Sequence, residues 1–160
     1  MQPLSYFLAA LIAFTGIIAG VFLAFFTKEE MKPGKRYFEL LQKALLAVIA
    51  AVFLYYSGMQ LVFRIAAYSV VILFLALSKN PGNGIAGSII YGILGLVLYL
   101  GRLNQKSFFI ISSLIFLYGL PTGSLNASGM LKKQKLDAVK KALVTGAGFA
   151  VVAVLIGVVF

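Results

Sequence analysis

Between Lys43 and Lys79 the chain carries a single charge, Arg64, in an interior of 35 residues. A stretch this apolar has no polar face to offer water, so it needs apolar surroundings on every side. It is too long for one membrane span and slightly short for two, since each takes about 20 residues. The sequence "YYSGMQ" at residues 55–60 supplies a turn near its middle. This divides it into spans at about 38–57 and 61–78, with Lys43 and Arg64 snorkelling towards opposite interfaces.

The rest of the chain repeats the pattern. A first apolar run at 4–27 extends roughly 36 Å as a helix. It lacks a basic leader and a small-residue cleavage site, so it is expected to be a span and not a signal peptide. The turn-rich "SKNPGNG" at residues 78–84 makes a hard break before a span at 85–101. "RLNQKS" then separates that span from one at 107–123, which should end where Pro121 disturbs the helix. The sixth span covers about 138–160. With 62% hydrophobic and 11% charged residues, against about a quarter charged in soluble domains, the predicted class is an all-α integral membrane protein. It forms a single transmembrane domain, 1–160, with six transmembrane helices.

Charge orients these spans. With the N-terminus outside, eleven of the fourteen basic residues fall on one face, and Arg64, Arg102 and Lys106 on the other. The positive-inside rule makes the richer face cytoplasmic, placing both termini outside a cell membrane. The net charge of +10 then suits anionic lipid headgroups. Aromatic and basic residues do not interleave away from the apolar runs, so nucleic acid is not an expected partner.

One pattern recurs. Lys35, Glu39, Lys43, Ala44 and Leu45 align without gaps on Lys133, Asp137, Lys141, Ala142 and Leu143. The charges at i, i+4 and i+8 share one helix face, and both copies lead into a span running outward. Together with the turn at "SKNPGNG", this predicts three helical hairpins formed by consecutive spans. Chance is the competing explanation, because lysine and aliphatic residues are common where helices begin.

The chemical inventory is thin. The chain has no cysteine or histidine and four acidic residues. Thiol chemistry, imidazole or thiolate metal sites and histidine acid–base work are excluded, and no cofactor or metal is expected. No nucleotide-binding, zinc, EF-hand or serine-hydrolase motif occurs, and "NPGNGIAGS" at residues 80–88 reads as a turn. Glu29 and Glu30 are neighbours that do not face each other on a helix, so a solvated loop is favoured over a Mg²⁺ site. Glu39 and Asp137 are either two positions flanking a cytoplasmic entrance or ordinary i, i+4 ion pairs with Lys43 and Lys141.

Three further features are candidates. Arg64 either faces a polar cavity or an anionic lipid, or anchors its helix at the interface. "GLPTGSLNASG", which contains Pro121 and Gly123, either exposes backbone groups to a substrate or forms a flexible exit loop. Small residues at helical spacing predict packing seams: Gly16 with Gly20, Gly84 with Ser88 and Gly92, Gly87 with Gly95, and Gly146 between Ala142 and Ala150. These seams fit closure of the monomer or contact between protomers.

Two function classes follow. The first is non-catalytic transport of a small solute or ion by a homo-oligomer, through a site lined by backbone, hydroxyl and amide groups. The second is an accessory or scaffold subunit of a larger membrane complex, binding partner helices and anionic lipid. A membrane enzyme using the four acids ranks third.

Overall fold

The computed structural model describes residues 3–27, 31–77, 84–128 and 135–159, with side chains at 5–27, 34–77, 86–128 and 137–152. Glu29, Glu30, Lys133 and most of "SKNPGNG" lie outside the described residues. Those described form six helices: α1 (Pro3–Phe26), α2 (Met31–Tyr56), α3 (Leu61–Leu77), α4 (Gly84–Gly101), α5 (Gln105–Ala127) and α6 (Lys135–Val159). Three are long and apolar enough to cross a membrane, over Ser5–Phe26, Gly34–Tyr56 and Gln105–Ala127. Leu61–Leu77 and Ala86–Gly101 are apolar but shorter.

The breaks fall where the turn residues put them. Gly58 adopts φ +70°, open to glycine without strain, and ends the run between Lys43 and Lys79 near its middle. Asn104 caps α5, its side chain accepting from the amides of Lys106 at 3.1 Å and Ser107 at 3.4 Å. One boundary is corrected. Helix α5 runs through Pro121 to Ala127, so "GLPTGSLNASG" is not a flexible exit loop. Pro121 cannot donate to the carbonyl four residues back, but residues 121–127 are all buried, and tight packing holds the helix through the gap.

The hairpin expectation is corrected too. The main interfaces do not join consecutive helices; they join α1 to α5 and α4 to α6, while α1–α2 and α3–α4 share little surface. Gly16 lies against the Phe116 carbonyl and Gly119, and Gly20 against Leu120, with Gly123 against Ile17 and Gly20. A Cβ added at Gly16, Gly20, Gly119 or Gly123 would meet backbone of the other helix. Residue numbers rise together along both helices, so α1 and α5 are parallel. Ser124 Oγ donates to the Gly20 carbonyl at 2.8 Å and closes the seam.

The second pair is also parallel. Gly148 abuts the Ser88 carbonyl and Gly92, while Gly95 lies 3.2 Å from the Phe149 carbonyl, measured from an added Cβ. Ser88 Oγ donates to the Val144 carbonyl at 2.9 Å. The two pairs run in opposite directions, because Tyr91 meets Tyr118 while Gly101 meets Phe108 and Ile111. The seams therefore close the monomer. Gly84 opens α4, and Gly146 takes a different partner, the Phe14 ring of α1.

Candidate functional site

Where the two glycine-clamped pairs face each other, and where α2 covers them, the core turns polar. Gln42, Thr122, Ser124, Asn126 and Thr145 are all buried, along with the phenols of Tyr91 and Tyr118. Gln42 Nε2 donates to Thr122 Oγ1 at 2.8 Å and to the Tyr118 hydroxyl at 3.4 Å. Thr122 Oγ1 in turn donates to the Tyr118 carbonyl at 2.9 Å. On the α6 side, Asn126 Nδ2 donates to Thr145 Oγ1 at 3.4 Å, and that hydroxyl donates to the Lys141 carbonyl at 2.9 Å.

The network is incomplete. The Tyr91 hydroxyl approaches Thr122 but closes no hydrogen bond, and Asn126 Oδ1 has no partner among the described residues. Leaving a buried polar group unpaired costs about 1–3 kcal/mol, so two such oxygens in one cluster call for an explanation. A third group without a partner among the described residues, the Tyr6 hydroxyl, belongs to a ring that packs against Tyr99 and Phe108 at the other end of the bundle.

Among the described residues no carboxylate, lysine or arginine side chain joins the cluster's hydrogen bonds. Its inventory is hydroxyls and primary amides, which donate and accept without carrying charge. That set suits a small neutral hydrogen-bonding molecule, or water, better than a divalent cation, which needs carboxylate oxygens. Among the described residues no three acids converge as metal ligands would.

The residues singled out from the sequence separate into three places. Pro121 and Gly123 lie in the cluster segment itself, Gly123 pressed against Ile17 and Val21. Glu39 lies one turn before Gln42 on α2 and is partly exposed, its carboxylate 4.0 Å from the Lys35 ammonium. Asp137 is exposed in the first turn of α6, where a negative charge complements the helix dipole. Both acids lie towards the cluster's end of the bundle but outside it. Arg64 is at the far end, in the first turn of α3, its Nε donating to the Met59 carbonyl at 2.7 Å. The structure does not bring Arg64 together with the two acids.

The sequence singles out none of Gln42, Tyr91, Tyr118 and Thr145, and it offers Thr122, Ser124 and Asn126 only as members of "GLPTGSLNASG". Gly119 carried a usable signal, since Gly119 and Gly123 have the same spacing as Gly16 and Gly20. The expected break at Pro121 hid it. No protein-family description matches this chain, and no curated protein or solved structure is significantly similar to it.

Proposed function

We propose that the chain is a multi-pass protein of the cell membrane that carries a small, uncharged hydrogen-bonding solute, with no catalytic step. The observation behind this is the buried hydroxyl and amide cluster between the two helix pairs, with the Tyr91 hydroxyl and Asn126 Oδ1 unpartnered among the described residues. The glycine seams make α1–α5 and α4–α6 stiff units, whereas their mutual interface is aromatic and polar. Rocking of one pair against the other exposes the cluster to each side in turn, the usual manner of alternating access. All six helices cross the bilayer in this reading, with the membrane thinning locally around α3 and α4. Both termini lie outside, and Lys35, Arg36, Lys43, Lys140 and Lys141 gather at the cytoplasmic end.

Flux measurements on the purified protein in liposomes test it, using urea, glycerol, small amides and monovalent ions. Uptake above empty liposomes that falls in Asn126→Leu supports the reading; uptake equal to empty liposomes for the whole panel overturns it. Labelling of a cysteine introduced at Lys133 only from the outside would reverse the orientation.

A second reading has its own observation. Leu75 is the one buried residue of α3, so this helix offers an apolar face suited to a partner in an oligomer or larger complex. Stoichiometric copurification in mild detergent supports an accessory subunit. An enzymatic role would rest on Glu39 and Asp137, both outside the buried cluster, and would be lost in Glu39→Gln or Asp137→Asn.

A further inference from the structure

Beside the polar cluster, a groove of about 480 Å³ opens between α2, α3 and α4. Every side chain lining it is apolar, including Ile49, Phe53, Ala67, Phe74, Ile90 and Leu94. Its volume lies within the roughly 300–1,000 Å³ typical of ligand pockets. None of the described residues brings a polar side chain into it to orient a polar ligand. On α2 the lining runs from Leu46 to Leu54, roughly 12 Å at 1.5 Å per residue. A slot this uniformly apolar suits a hydrocarbon chain.

The end of the groove is charged. Arg64 precedes the lining residues Ala67 and Val71 by three and seven positions, so it shares their face of α3 one turn beyond the apolar slot. Its Nε is tied to the Met59 carbonyl, which fixes the guanidinium plane. The two terminal nitrogens make no hydrogen bond or ion pair among the described residues. A guanidinium held in this way presents a two-pronged donor suited to a phosphate.

We propose that this groove and Arg64 together bind one anionic phospholipid, an acyl chain lying against α2, α3 and α4 and the phosphodiester on Arg64. The inference rests on the membrane placement proposed above but is independent of solute transport. A lipid so placed fills the gap that loose packing of α3 leaves, and ties α3 to the bundle.

The test is native mass spectrometry of the full-length protein in mild detergent, incubated with phosphatidylglycerol or with phosphatidylcholine of the same acyl chains. The expected result is one retained phosphatidylglycerol, favoured about fivefold over phosphatidylcholine, which shares the phosphodiester but brings a choline cation that the Arg64 guanidinium repels. Arg64→Gln, which disturbs no core contact, should bring the two lipids to parity. Ala67→Trp, which fills the slot, should remove retention of both. An unchanged headgroup preference in Arg64→Gln would assign the lipid to the basic face and overturn the proposal, as would the absence of any retained lipid. A dimer that Ala67→Trp dissociates would make the groove an interface between copies, and the proposal would fall. Lipid retention without solute flux sinks the transport reading and leaves this one standing.

Discussion

Helices α3 and α5 invert the usual relation between polarity and burial. The sequence of α3, LVFRIAAYSVVILFLAL, is almost wholly apolar, yet Leu75 is its one buried residue. Helix α5 contains Pro121, Thr122, Ser124 and Asn126, and it buries thirteen of its 23 residues, those four among them. A water-soluble fold sorts its side chains the other way. The difference teaches that hydrophobicity is not what selects the inside here. With lipid as the proposed solvent, leucine gains nothing by leaving it, and interiors are chosen by close backbone approach and by polar groups that need partners.

The sharpest way to break this comparison is to deny α5 its approach to α1. Gly123→Leu would drive a branched side chain into the backbone of Ile17 and Val21. A loss of at least about 3 kcal/mol, or failure to recover a monodisperse protein, is expected by size-exclusion chromatography and thermal unfolding. A Gly123→Leu protein as stable as the parent would show that the seam does not hold the bundle together.

The matching test on α3 changes solvent preference instead of packing. Leu73 is 60% exposed, and Leu73→Lys should cost about 3–4 kcal/mol of membrane insertion, read in an insertion assay. A neutral outcome would place α3 in water and remove the inversion. Next in size is a contrast within the α4–α6 seam. Gly148→Ala should cost about 1–3 kcal/mol because its Cβ meets the Ser88 carbonyl. Gly92→Ala should be neutral or stabilise by up to about 1 kcal/mol, since its Cβ has ordinary room at 3.8 Å from the Gly148 carbonyl.

Thr122→Val should cost about 1–2 kcal/mol, by removing the 2.8 Å acceptor of Gln42 and leaving a buried amide underpaired. Gln42→Leu added to it should recover part of that loss. The smallest effect belongs to α3 again. Val62 is 74% exposed, and Val62→Ala should change thermal stability by less than about 0.5 kcal/mol.

Much of the helix pattern could be read from residue order. Helix number and breaks followed from apolar run lengths and from Gly58 and Asn104, because a turn needs specific backbone chemistry close in sequence. The i, i+4 spacing set Lys35, Glu39 and Lys43 on one face, where Lys35 lies 4.0 Å from Glu39. Pairing did not follow, because Gly16 is compatible with any smooth partner, and nothing local to it names Phe116 or Gly119. The polar cluster was hidden for a related reason: Gln42, Tyr91, Thr122 and Thr145 are scattered over four helices, each a single mild exception in an apolar stretch.

The sequence by itself determined six helices, the turns that separate most of them, and which ends carry the positive charge, since these depend on composition within one or two turns. Only the tertiary structure decided that α1 clamps α5 and α4 clamps α6, that α5 survives Pro121, and that hydroxyls and amides meet between the pairs. Those outcomes depend on which small residues allow two backbones to touch. Such complementarity is a property of two surfaces together, and neither helix carries it alone.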